Sequence, residues 1–144
     1  MLSQRTRYAL RSLIMLAARP EGLVQIGEIA EQQNVPRKFL ELILLDLKKA
    51  GLVDSLRGRA GGYRLARPAA GISFGEVVRL LEGSLAMVPC ASLTAYAPCG
   101  DCTDEATCAI RRAAILARDE AARVLDNFTL ADAATSEANA IAGL

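Results

Sequence analysis

The chain has no histidine and no tryptophan, and only three Phe and three Tyr among its 144 residues. Without histidine it lacks the side chain most used for proton transfer near neutral pH, and also the commonest nitrogen ligand of metals. With so few aromatics, Leu, Ile, Val and Ala must fill most of the core. Long hydrophobic runs are missing too. The longest near-apolar stretch, Leu42 to Leu47, is broken by Asp46 and falls far short of the roughly 20 residues a bilayer demands. The first residues carry Arg5, Arg7 and Arg11 among helix formers, with no small-residue cleavage signal, so they do not read as a signal peptide. The expectation is a cytoplasmic protein with no membrane partner, in a reducing compartment where clustered cysteines more often bind metal or do redox work than form structural disulfides.

A composition of 52 % hydrophobic and 23 % charged residues is that of a globular chain, not a disordered one. The length suits one compact domain, or one domain with an appended element. A net charge of +1 hides an uneven distribution: residues 1–70 hold 12 Lys and Arg against 6 Asp and Glu, and residues 71–144 hold 5 against 10. A basic half on a nearly neutral protein points to a face that meets a polyanion, although a solvated basic surface would look the same by charge alone.

Taken in order, Ser3 is a candidate N-cap for a helix running from Arg5 to Arg19, with Tyr8, Leu10, Ile14, Met15 and Ala18 at helical spacing. Pro20-Glu21-Gly22 ends it. A short helix from Ile26 to Gln33 then meets a turn at Asn34-Val35. A longer helix follows, with Pro36 in its first turn and Lys48-Lys49-Ala50-Gly51 at its end. Two short helices across a tight turn match a helix-turn-helix. Leu52–Leu56 and Tyr63–Ala66 read as strands around the glycine-rich basic turn Arg57-Gly58-Arg59-Ala60-Gly61-Gly62. This is the winged helix-turn-helix order. The second helix is expected to present Arg37, Lys38 and Glu41 to a major groove. The wing is expected to carry Arg57 or Arg59 to phosphates or a minor groove, about the backbone of Gly58 and Gly61. An αα-hairpin and β-hairpin used only for packing is the bland alternative.

The boundary is placed near residue 70, with a DNA-binding domain over 1–70 and a sensor and dimerisation part over 71–144. Phe74–Leu81 reads as a short amphipathic helix. Residues 83–107 lose helical periodicity, and a loop of that length in a small domain is usually functional or disordered. Cys108 opens a last long helix, in which Ile110, Ala114, Ala117, Ala121, Val124 and Phe128 form a stripe suited to a second copy of the chain. Thr129 is a candidate cap for a final short helix, Leu130–Ala134, with a frayed tail beyond it. The fold class expected is mainly α with a small β-hairpin wing.

Three cysteines lie in this loop and the fourth opens the helix after it, as Cys90-x8-Cys99-x2-Cys102-x5-Cys108. Structural zinc, an iron–sulfur cluster and a thiol–disulfide switch all remain open on these residues. Zinc commonly takes two close knuckles, and only Cys99 and Cys102 form one here. Uneven spacing in a wrapping loop suits a cluster. A small thiol oxidoreductase using Cys99-Gly-Asp-Cys102 is disfavoured by three things: the absent histidine, the lack of a βαβ pattern before the motif, and the acidic flanks Asp101, Asp104 and Glu105.

The segments RTRYALRSLIMLA, KFLELILLDLKKAGLV, RGRAGGYRLARP and ISFGEVVRLLEG, together with the cysteine loop, resemble the Rrf-type bacterial transcription regulators, over about residues 1–134. That resemblance implies a homodimer reading a palindromic operator in double-stranded DNA, commonly as a repressor, with a long C-terminal helix crossing to the partner. In the IscR-, NsrR- and RirA-like members it implies a 2Fe–2S or 4Fe–4S cluster on three loop cysteines, which gives redox sensing; CymR-like members lack the cluster. Cys90, Cys102 and Cys108 match those three cysteines. The family's fourth ligand is a histidine at the position of Arg111, or an acidic residue at the position of Tyr8. Neither residue here can replace it, so the resemblance makes Cys99 the expected fourth ligand. The recognition helix keeps Glu41 but has Leu42 where IscR-like readers have glutamine.

Overall fold

In the computed structural model, which describes residues 2–142, Ser3 adopts extended backbone and accepts a hydrogen bond from the Thr6 N–H, opening helix α1 (Gln4–Ala17). α1 is the axis of the core. Ala9, Leu10, Leu13, Ile14, Met15 and Leu16 are all buried, because α2, α3, α4, α6 and β2 pack around it. Burial on several sides forces its polar residues to find partners. Ser12 donates to the Tyr8 carbonyl at 2.8 Å, and Thr6 donates to Glu82 at 2.5 Å. Glu82 also accepts the Ser3 N–H at 2.8 Å, so a carboxylate sits at the positive end of α1. These bonds hold the Glu82 carboxyl below the usual range.

Helix α2 (Ile26–Gln33) has the bounds expected from sequence. It stops at Asn34, the one non-glycine residue with positive φ (52°) among the described residues. Pro36 then caps α3 (Arg37–Lys49) as the residue before its first turn. Leu40, Ile43, Leu44 and Leu47, at i, i+3, i+4 and i+7, are fully buried against α1 and α2. β1 (Val53–Leu56) and β2 (Gly62–Leu65) pair antiparallel in the register Val53–Leu65 to Leu56–Gly62; β1 starts one residue later than expected and β2 lies one residue earlier. Val24 adds a short third pairing: its N–H and carbonyl exchange bonds with Tyr63 at 2.9 and 2.8 Å.

A 3₁₀ turn (Ala69–Gly71) leads to α4 (Phe74–Glu82), capped by Ser73, which accepts from the Glu76 N–H at 3.1 Å. The loop after α4 contains a second 3₁₀ turn, Pro89–Ala91. α5 (Ala109–Asn127) begins at the Cys108 cap, as expected. The sequence stripe on α5 splits: Ala114 turns inward and is buried, while Ile110 and Val124 are 71 % and 53 % exposed. α6 spans Leu130–Ala142, well beyond the Ala134 expected. Thr129 and Asp132 bond reciprocally at 3.0 and 3.1 Å as a capping box. Alanine's high helix propensity carries the remaining turns where fraying was expected. No helix among the described residues is long and apolar enough to cross a membrane.

α4 and α5 are clamped at one end. Arg79 reaches Asp126 with two bonds of 2.6 and 2.9 Å, the Phe74 N–H donates to the Phe128 carbonyl, and the two rings pack edge to face at 4.9 Å. The hydrogen bond from Arg79 holds Asp126 below the usual aspartate range. A depressed carboxylate pKa contributes stability above its unfolded value of about 3.9, and that stability is lost as pH falls through the lower folded value. Both side chains are a third or more exposed, so screening limits the contribution to about 0.5 kcal/mol. Asp126→Asn should therefore flatten the pH dependence of unfolding below pH ~4 and leave it unchanged at neutral pH. Urea titrations across that range check this.

Candidate nucleic-acid interface and cysteine site

Five of the seven residues singled out for DNA contact line one open groove of about 770 Å³: Arg37 from α3, with Arg57, Gly58, Arg59 and Gly61 from the wing. Lys38 and Glu41 lie beside it on the exposed face of α3. Two glycines make the tip possible. Gly58 has φ +106°, and a Cβ on Gly61 would overlap the Leu56 carbonyl. Gln25, just before α2, donates to the Arg59 carbonyl at 2.8 Å and ties the wing to the helix-turn-helix. That contact joins residues 34 apart and leaves no local signature, so sequence reading misses it.

Charge on this face is left to the cations. Arg37 pairs with Glu41 at 3.8 Å, and Arg5 pairs with Asp46, which accounts for both acidic groups of α3. Among the described residues no ion pair engages Lys38, Arg57 or Arg59. Arg11 lies over the Tyr8 ring at 5.2 Å, and Tyr8 packs edge to face on Phe39 at 5.8 Å, which holds the start of α3 against α1.

On the other half of the chain, Cys90, Cys99, Cys102 and Cys108 line one cavity of about 300 Å³, with Arg111, Asp101 and Asp104 at its walls. All four are free thiols, graded from buried Cys90 to exposed Cys102. Cys99 Sγ lies 3.7 Å from Cys90 Sγ, and Cys108 Sγ accepts the Arg111 N–H. The hydrogen bond to Cys90, then burial and the neighbouring sulfurs and Asp101, push the Cys99 thiol up. Desolvation, then Cys108 and Glu105, push Cys102 up. Raised thiol pKa values are the reverse of what an attacking cysteine needs.

The donor set can be tested against its possible occupants. Among the described residues no three Cys, Asp or Glu side chains are gathered to hold a single metal ion. Four thiols around a shared cavity, without a nitrogen donor, fit a polynuclear iron–sulfur centre, whose thiolates bind different irons. Arg111 takes no ligand's place. Its Nε donates to the Cys90 carbonyl at 3.1 Å and lies 3.9 Å from Glu105, while Arg118 donates to the Ala91 carbonyl at 2.5 Å. Two arginines of α5 thus grip the 3₁₀ turn that carries Cys90. Ser92, next in the chain, is buried and accepts from Ser84 and from the Thr94 and Ala95 N–H groups. The sequence placed Arg111 only at the position of the family's histidine and did not single out Arg118, because bonds to distant carbonyls follow no spacing rule.

Comparison with known proteins finds the same fold elsewhere. The family model described as "Rrf2: Iron-dependent Transcriptional regulator" matches residues 2–136. The chain is 50 % identical over 117 residues to the rrf2-like HTH-type transcriptional regulator of Rhodobacter capsulatus, covering 78 % of this chain and 77 % of that one. The structure of CymR (YrzC), the global cysteine regulator of B. subtilis, superposes with TM-score 0.77 at 34 % identity, covering 94 % of this chain and 97 % of that one. IscR of T. potens superposes with TM-score 0.75 at 29 % identity, covering 95 % and 88 %.

Proposed function

The chain belongs to the Rrf2 family of transcriptional regulators and is not an enzyme, and we propose that it is a cytoplasmic, homodimeric repressor whose operator affinity is set by an iron–sulfur cluster on Cys90, Cys99, Cys102 and Cys108. The observation that carries this reading is the single cavity lined by all four thiols. When bound, a cluster supplies a redox-active and labile centre that ties the segments of the loop together.

The remaining roles fall to the chain itself. Arg37, Lys38 and Glu41 are proposed to face the major groove, and Arg57 and Arg59 the phosphates beside it. The exposed line Ile110–Val124 on α5 is the proposed seat of the second copy, which sets the spacing of the two recognition helices. Arg111 and Arg118 bind the Cys90 turn to that same α5. Any rearrangement of the turn therefore acts on the helix that fixes half-site separation.

The deciding experiment is anaerobic purification with iron and sulfide analysis, followed by operator titration under oxygen and nitric oxide. Brown protein containing acid-labile sulfide, with affinity that changes when the colour bleaches, supports the reading. Colourless protein with stoichiometric zinc defeats it. A second reading draws on the 3.7 Å approach of Cys90 and Cys99 and on likeness to a regulator named for cysteine: a thiol switch in which a peroxide or a disulfide oxidant takes two electrons and two protons from Cys90 and Cys99 as their disulfide closes. Colourless, metal-free protein with that disulfide by mass spectrometry would favour it.

A further inference from the structure

Leu42 and Leu45 are 61 % and 47 % exposed in the middle of α3. They cannot be buried by turning the helix, because Leu40, Ile43, Leu44 and Leu47 already occupy the core. Lys38, Leu42, Leu45 and Lys49 stand at i, i+4, i+7 and i+11, so the two leucines lie on one line between two lysines. That line starts beside the groove lined by Arg37, Arg57 and Arg59, and both acidic groups of α3 are already paired with arginines.

An apolar strip beside Lys38, Arg57 and Arg59, which no ion pair engages among the described residues, calls for a ligand that is polyanionic outside and apolar at one point within. Duplex DNA meets that description. Its phosphates answer the arginines, and the C5 methyl of thymine is the one apolar group on the base edges of the major groove. We propose that Leu42, supported by Leu45, is a specificity-determining residue that reads thymine methyl groups in each half-site. This rests on the reading of the chain as a DNA-binding regulator.

The test uses the full chain. Duplexes are selected from a random-sequence pool, and each thymine of the selected half-site is then replaced singly by deoxyuridine, which removes only the methyl group. One or two positions should lose about three- to fivefold in affinity, the worth of one buried methyl group. Leu42→Ala should lower affinity for the thymine duplex by a similar factor and abolish the difference between thymine and uracil. An unchanged thermal midpoint would show that the exposed substitution leaves the fold intact. Indifference of the wild type to uracil overturns the inference alone. So does a Leu42→Ala protein that keeps full uracil sensitivity, or one that loses self-association with its DNA affinity intact. A wild-type chain that retains no duplex overturns the regulator reading together with it.

Discussion

Replacing Gly62 by alanine is expected to detach the wing. Gly62 has φ +144°, a backbone conformation that L side chains rarely adopt, and a Cβ there would stand 2.6 Å from the Val24 carbonyl oxygen and 2.7 Å from its carbon. The obstacle is backbone, so no rotamer change relieves it. Relief requires breaking the Val24–Tyr63 bonds that hold β2 to the segment before α2. The strain is worth about 2–3 kcal/mol of stability. Affinity for the operator should fall at least about tenfold, since the wing cations lose their fixed register on the duplex. Gly71→Ala is the matched control, because a Cβ there meets nothing within 4 Å and its φ is not positive. Urea unfolding and fluorescence anisotropy on an operator duplex read the two effects. Equal behaviour of the two variants would refute the account of the wing.

Cys99→Ala is expected to cost the protein most of its iron. Three thiols would remain around the cavity, and the other groups at its walls replace the fourth poorly: Arg111 carries no lone pair for a metal, Asp104 is engaged with the Ala106 N–H and the Thr107 hydroxyl, and Asp101 offers a hard oxygen in place of a soft thiolate. Affinity for the centre should drop about 100-fold or more, since even outer partners of a metal site are worth ten to a hundred. Because Cys99 stands apart from the buried core around α1, the helical unit should keep its unfolding midpoint in the metal-free state. An unchanged visible spectrum and iron content would reject Cys99 as a ligand. Loss of iron together with global unfolding would instead make it a structural residue. Arg111→Ala offers a useful contrast: it leaves four thiols in place while removing the hold on the Cys90 turn and the pairing with Glu105.

Most elements were legible in the sequence because their ends carry strong local chemistry. Ser3 and Thr129 cap helices at the expected places, Asn34 takes left-handed backbone between α2 and α3, and Gly51 (φ +76°) closes α3. Where the signal was non-local, it was not readable. Val24 contributes one residue of pairing, too short for any alternation to register. The Pro89–Ala91 turn is stabilised by arginines some twenty and more positions away. On α5 the sequence shows apolar residues at helical spacing, and only tertiary packing, against α4 and the Pro89–Ala91 turn, decides that Ala114 goes inward and Val124 outward. The cysteine set itself was plain, while the close pairing of Cys90 with Cys99 is a product of the loop's folding.

The hydrogen bonds of the cysteine loop have a consequence for how such a protein can change over generations. Among the described residues, the side chains from Ser84 to Thr107 bond within the loop and to the Gly83 carbonyl, the α5 arginines donate to the Cys90 and Ala91 carbonyls, and none of these bonds reaches the helix-turn-helix or the wing. The loop is a detachable cartridge. It plugs into a helical pair whose Arg79–Asp126 clamp lies outside it, so its chemistry can be rewritten while the reading head stays as it is. Exchanging residues 84–107 between relatives should accordingly transplant the stimulus and leave the target promoters untouched.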